Sequence, residues 1–316
     1  MTRAKQTLLL VDPLTLTGQE LGRALSDPSE LALELRAVHT RDDDEQQIVE
    51  LSGQTALAPP LRRADELEGC AAIVVTSDTD SPHHEQVEDF ARANPEVPLV
   101  DLSRLARFAA MTSPAAGRPA LRPSPPHVRV AHPALVAAVG LTAAIAHLDP
   151  AWASLTAVDP VSAFGRDAIE GLARQAARRL QGDPVEELIR GEVLAFNLIA
   201  RRTDRLAEEA AALLPGIPTT VSLTQSGTFH GHLLNLTMGL AAEIDESDLL
   251  DAWAATTSIV VEGPPLRLDV VTQTDTIWVT RPQLARDHRS FSVIAMLDGL
   301  RVGGALTAIE ILKALL

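Results

Sequence analysis

Four short apolar runs, spaced by polar amphipathic stretches, constrain the first 132 residues more than any other feature. "TLLLV" (7–11), "AAIVVTS" (71–77), "VPLVDLS" (97–103) and "HVRVAH" (127–132) read as strands, and "ALELRAV" (32–38) as a further one. Helical patterns fall near residues 18–25 and in "SPHHEQVEDFARA" (81–93). Strand, helix, strand repeated in this way implies a mostly parallel sheet covered on both faces.

"TSPAAGRPALRPSPP" (112–126) has the composition of a linker. It reads better as an extended loop inside the first domain, because residues 127–132 still supply one more strand. "HVRVAHPALVAAVG" (127–140) is then an elbow: strand, Pro-marked turn, Ala-rich helix. Such an elbow holds a side chain at a helix N-terminus, where the macrodipole favours negative charge. Around that turn stand only Ala134 and Leu135.

Beyond the elbow come a strand at "SLTAVDPVSAF", a helix near 166–180, a strand at "EVLAFNLIA" and a helix near 204–214. Strands then dominate, at "TTVSLTQ", "HLLNLTMGL", "SIVVE" and "FSVIAML", before an amphipathic closing helix in "GGALTAIEILKALL". The second domain is expected to be α+β with a mixed or antiparallel sheet.

Length permits two domains: 316 residues can bury a sizeable core, and 46% hydrophobic content argues against disorder. The formal charge of −15 disfavours generic binding to nucleic acid or anionic membrane. A single cysteine, Cys70, cannot form an internal disulfide and suits a reducing cytoplasm. The N-terminal apolar run is too short for a secretory signal, and the longest apolar region falls below the roughly 18 residues of a spanning helix. A soluble, cytoplasmic protein is expected.

"LLLVDPLTLTGQELGRAL" stands where a dinucleotide-binding fold puts its glycine loop, which lets the backbone turn tightly against a pyrophosphate. Only Gly18 is present. Asp12 brings a carboxylate to that place, and Pro13 lacks an N–H donor. "RDDDE" (41–45) follows the second strand, where an acid can hold ribose hydroxyls, but reads as a solvated loop. His230 and His232 lie two apart on an expected strand, hence on one face. With no further ligand at suggestive spacing, no metal is expected there; one of them reads as a retained active-site histidine. Cys70 reads as a small packed thiol.

Taken in order, these segments resemble the aspartate-β-semialdehyde dehydrogenase family over nearly the whole chain. "LLLVDPLTLTGQELGRAL" is similar to the family's opening strand and G-A-T-G-x-V-G loop, "VPLVDLSRLARF" to D-x-S-x-x-x-R, and "VRVAHPALVAA" to its A-N-P-N-C elbow. "TAVDPVSAFGRDAIEGLARQ" resembles T-Y-Q-A-V-S-G-A-G, "LAFNLIA" F-N-V-I-P, "TQSGTFHGH" R-V-P-V-x-x-G-H, and "LDGLRVGGALTAIEIL" the closing D-N-L-R-K-G-A-A.

The resemblance implies an α/β chain. Its first part is an N-terminal Rossmann-like domain (1–133) of the NAD(P)-binding type, completed by a closing helix (301–316). Its second is an α+β dimerisation and catalytic-type domain (134–300). It implies a reaction in which a cysteine thiolate attacks the aldehyde, hydride passes to NADP, and phosphate releases the acyl group.

Position by position, the nucleophile matches Leu135 and the orienting glutamine matches Asp159. The substrate-gripping arginine matches Gln225, so a bidentate charged contact is lost. The loop glycines match Asp12 and Thr15, leaving Gly18, and the asparagine near the nicotinamide matches Gly299. A phosphate-binding lysine matches Ala212. His232 keeps the general acid/base position and Arg107 a phosphate-binding one, while Glu209 matches a substrate-contacting glutamate.

A histidine alone cannot replace a covalent nucleophile. The expectation is a non-catalytic homologue with a structural or regulatory role and no cofactor, although the family uses NADP or NAD. The expected partner is a second copy through the second domain, or an active homologue in a heteromer. The alternative is an active NAD(P)-dependent oxidoreductase of altered chemistry in amino-acid biosynthesis, using His232 and Arg107 on an anionic substrate.

Overall fold

The computed structural model describes residues 6–27, 31, 33–51, 53–103, 105, 108, 111–113, 125–263 and 265–316. The chain falls into two compact units, 1–130 with 304–316, and 131–303.

The first unit carries β1 (Thr7–Val11), α1 (Leu16–Ala24), β2 (Glu34–Val38), β3 (Gln47–Leu51), β4 (Gln54–Ala58), β5 (Ala72–Val75), α2 (His84–Ala93), β6 (Leu99–Asp101), β7 (Met111–Ser113) and β8 (His127–Val130). Six of these strands form one sheet in the order β2-β1-β5-β6-β8-β7, and every pair in it is parallel. The run "TLLLV" is apolar throughout because both faces of β1 are covered. Leu8 and Leu10 join a cluster with Leu21 of α1 and with Ile309 and Leu312 of the C-terminal helix Thr307–Leu315. Leu9 and Val11 turn to the opposite cluster, with Val87 and Phe90 of α2.

The hairpin β3–β4 pairs antiparallel outside this sheet and was not anticipated from the sequence. β7 overlaps the start of the Pro-rich stretch and pairs with β8, which keeps that start in the first unit; residues 114–124 lie outside the described residues.

The second unit begins at the elbow with α3 (Pro133–Ala144), then β9 (Pro150–Asp159), α4 (Arg166–Gln181), β10 (Leu198–Arg201), α5 (Asp204–Leu213), β11 (Thr219–Ser226), β12 (His232–Leu240), α6 (Glu246–Ala254), β13 (Ile259–Glu262), α7 (Leu268–Val271), β14 (Ile277–Thr280), β15 (Gln283–Leu284) and β16 (Ser290–Leu297). These strands make a mixed sheet, β10-β11-β9-β12-β16-β14-β13, with β15 paired to β16. Helix α3 buries residues all around its circumference, from Ala134 to Val139 and Leu141. A helix apolar on every side belongs inside a core. Here it shares one with Leu155 of β9, Leu236 of β12, Val293 of β16 and Trp253 of α6, whose indole N–H donates to the Leu141 carbonyl.

Three sequence expectations change. "SLTAVDPVSAF" is a strand only to Asp159; Pro160 cannot donate to the ladder and a 3-10 turn follows at Val161–Phe164. "EVLAFNLIA" is strand only from Leu198. His230 does not share a strand with His232, because β12 begins at His232. Among the described residues, no helix is long and apolar enough to cross a membrane.

Candidate functional site

In the first unit, β1, β2 and β5 end side by side, and their carboxyl ends form the place where an open parallel sheet binds its ligands. Asp12 follows β1 with a left-handed backbone, φ 60°. Its carboxylate accepts the Thr40 backbone N–H at 2.7 Å and the Thr40 hydroxyl at 2.8 Å, and a hydrogen bond from the Ser77 hydroxyl. His84 of α2 closes the cluster. Its Nε2 lies 2.9 Å from Ser77 Oγ and 3.1 Å from Thr40 Oγ1, and its Nδ1 3.1 Å from the Ser81 nitrogen and 3.3 Å from an Asp80 carboxylate oxygen. Burial acts to raise the Asp12 pKa, but the hydrogen bonds from His84, Ser77 and Thr40 outweigh it and hold the carboxyl below its ordinary value.

The turn after β1 departs from a glycine-rich dinucleotide loop. A pyrophosphate needs unclaimed amide donors at the first helix, and Thr15 Oγ1 already accepts the Gly18 N–H at 3.0 Å. Pro13 offers none. Gly18 is required for packing: a Cβ there would sit 2.7 Å from the Pro13 carbonyl oxygen and 2.8 Å from Thr76 Oγ1. The anion at this crevice is the protein's own Asp12.

In the second unit, three strand ends and one helix start converge. Asp159 ends β9, and Gln225 lies opposite it on β11. His232 opens β12, one position beyond the Leu233–Val158 pair, so its side chain falls on the same face as Asp159. The elbow contributes His132, which caps α3 by accepting the Ala134 N–H on Nδ1 at 3.3 Å, with Pro133 in the first turn.

His132 Nε2 donates to Asp159 Oδ2 at 3.0 Å. His232 Nε2 lies 3.6 Å from Asp159 Oδ1, and the two imidazoles meet edge to face with centroids 5.8 Å apart. Gln225 Nε2 and Ser226 Oγ both donate to the Asp159 carbonyl, at 2.9 and 3.0 Å, and so fix the end of β9. A Cβ on Gly299 would lie 2.1 Å from His232 Nδ1, so the ring occupies the space that a larger residue would take. Asp298 holds the turn around that glycine by accepting the N–H groups of Leu300, Arg301 and Gln273.

Three solved structures share this architecture across almost the full chain. Aspartate semialdehyde dehydrogenase II of Vibrio cholerae, complexed with ASA, superposes with a TM-score of 0.85 at 17% identity, covering 99% of this chain and 98% of that one. A probable aspartate-semialdehyde dehydrogenase of Pseudomonas aeruginosa gives 0.82 at 21%, with 98% of both chains covered. The Francisella tularensis enzyme gives 0.79 at 12%, with 98% and 99% covered. The fold is that of the aspartate-semialdehyde dehydrogenases.

No protein-family model matches the chain. Two curated relatives, both described as USG-1 protein homologues, match part of it. That of Azotobacter vinelandii is 29% identical over 200 residues, 56% of this chain and 59% of the relative. That of Pseudomonas aeruginosa is 31% identical over 183 residues, 52% of this chain and 54% of the relative. The match spans little more than half the length of these curated relatives.

Within the semialdehyde dehydrogenase fold, Asp159, Gln225, His232 and Gly299 come together in the second unit, and Asp12, Thr15 and Gly18 in the first. Leu135 is 1% exposed and packs in the second unit's core. Glu209 lies on α5 with Arg205 Nε 3.3 Å from it, and Ala212 is an exposed residue of the same helix. Arg107 lies outside the described residues.

Sequence reasoning missed His132, and with it the second imidazole beside Asp159. The signal was its place directly before Pro133, the cap position of an elbow helix. Thr40, Ser77 and His84 were also missed, since Thr40 follows β2, Ser77 follows β5 and His84 opens α2.

Proposed function

We propose that this chain is a non-catalytic homologue of aspartate-semialdehyde dehydrogenase that acts as a dimeric scaffold with a structural or regulatory role. One observation carries the reading. At the elbow position where the resemblance expects the nucleophile stands Leu135, an aliphatic side chain packed into the core. It has no lone pair with which to open a covalent path. Asp12 supports the same reading from the other unit, because its carboxylate would repel a diphosphate, and the Gly18 N–H that could face one is taken by Thr15 Oγ1.

The outward face of the second unit's sheet supports self-association. Ser222, Thr156, Asn235 and Ile294 form a row across β11, β9, β12 and β16. Ser222, Asn235 and Ile294 are exposed, and none of the four is charged. A broad face of small polar and apolar side chains can seat a second copy without desolvating ions. The cytoplasm is the proposed compartment, where the Cys70 thiol stays reduced.

Titration of the purified full chain with NADP, together with a semialdehyde dehydrogenase assay with phosphate, tests the reading. No saturable nucleotide binding and no turnover are expected. Micromolar NADP binding with turnover would overturn it. Light scattering should give the mass of a dimer, and Asn235→Arg should shift it toward the monomer.

A further inference from the structure

We propose that His132, Asp159 and His232 form a binding site for one first-row divalent cation of the zinc type. Each side chain offers one ligand atom, and the three atoms lie within 4.8 Å of one another. His132 Nε2 lies 3.0 Å from Oδ2 of Asp159 and His232 Nε2 3.6 Å from its Oδ1, so the carboxylate turns one oxygen toward each ring, at distances near the roughly 3.3 Å between neighbouring ligands of a tetrahedral ion with bonds of 2.0–2.1 Å. Two imidazoles and one carboxylate are a donor set that suits zinc and its neighbours over magnesium or calcium, which take oxygen.

The ligands are held by backbone that does not depend on the ion. His132 is fixed at the start of α3, Asp159 at a strand end clamped by Gln225 and Ser226, and His232 by its place over Gly299. A carboxylate set between two imidazoles in a largely buried place gains from a cation that all three can share. Access is from the His132 side, where the side chain is 15% exposed against 2% for His232.

Binding requires an adjustment at His132. Its Nδ1 now accepts the Ala134 N–H, so Nε2 carries the proton. Ligation through Nε2 moves that proton to Nδ1 and gives up one long helix cap, a small loss against a coordination bond, and α3 keeps Pro133 in its first turn. Three protein ligands leave a fourth position for water or another small donor. The site stands whether or not the scaffold reading above holds.

Calorimetric titration of the metal-free full chain with Zn2+ tests this, with Co2+ as a spectroscopic probe. One Zn2+ per chain is expected, and visible ligand-field absorption with Co2+. His132→Asn, which can still cap the helix, and Asp159→Asn, which keeps the side-chain shape, should each weaken Zn2+ by about 100-fold or more, at least what losing an outer-shell partner costs. His288→Asn, at an exposed histidine on another edge, should change nothing. Absence of saturable binding at one equivalent, or variants that bind as the wild type does, would overturn the site. Should either variant fail to fold, nitrogen NMR of the wild type decides: Zn2+ must shift the ring signals of His132 and His232 and leave those of His83 and His288. Shifts confined to His83 and His288 would refute it.

Discussion

The carboxylate of Asp12 accepts the backbone N–H of Thr40 at 2.7 Å, joining the carboxyl ends of two neighbouring parallel strands. That bond converts the ligand crevice of the first unit into an internal knot of one carboxylate, two hydroxyls and an amide. Replacing Asp12 with Ala leaves the Thr40 and Ser77 donors without their acceptor and should cost about 2–3 kcal/mol in urea unfolding. Because the folded pKa is lowered, the stabilisation is present above the unfolded value of 3.8 and is lost as pH falls through the folded one. The difference between wild type and Asp12→Ala should therefore shrink on acidification; a constant difference would contradict this account.

Asp101 behaves in the opposite sense. Burial pushes its carboxyl up to about 6, against the lowering effect of Ser103, whose N–H and hydroxyl both donate to Oδ1. A raised folded pKa means stability fully present below 3.8 and lost as pH rises through about 6, an effect of about 3 kcal/mol. Asp101→Asn keeps an acceptor for Ser103 and removes the titration. Its stability relative to wild type should rise between pH 4 and pH 7, measured by urea unfolding at both.

Leu135→Cys tests whether the elbow can present a reactive thiol after one change. The site is apolar and closed, so the thiol should stay protonated and fail to react with a disulfide reagent in the native protein. The lost methyl groups should cost about 1–3 kcal/mol, and no dehydrogenase activity should appear. Rapid native-state labelling of the introduced thiol would show that the pocket opens.

Gly299 and His232 exclude one another's side chains. Gly299→Ala places a Cβ where His232 Nδ1 now lies, so the ring must turn away from Asp159. The His232 ring resonances should shift, with a loss of about 1–3 kcal/mol for the forced repacking. Unchanged ring signals would mean that the turn held by Asp298 moves instead.

Much of the fold is legible in the residues alone. The unbroken run "TLLLV" says that β1 is covered on both sides, and the apolar circumference of α3 says that it lies inside a core, because burial and periodicity are local consequences of side-chain chemistry. The strand ends are less legible: Pro160 stops β9, yet the pattern of apolar residues runs on past it.

The aliphatic Leu135 at the elbow and the lone glycine of the first turn could be read position by position, since each is a property of one residue. What Asp12 does instead could not. Its partners Thr40 and Ser77 follow other strands, and only parallel pairing brings those ends together. The same holds for His132, Asp159 and His232, which belong to a helix cap, a strand end and a strand start far apart in the chain. Their meeting depends on strand register, and register is set by the packing of the whole sheet rather than by any stretch of sequence around the site.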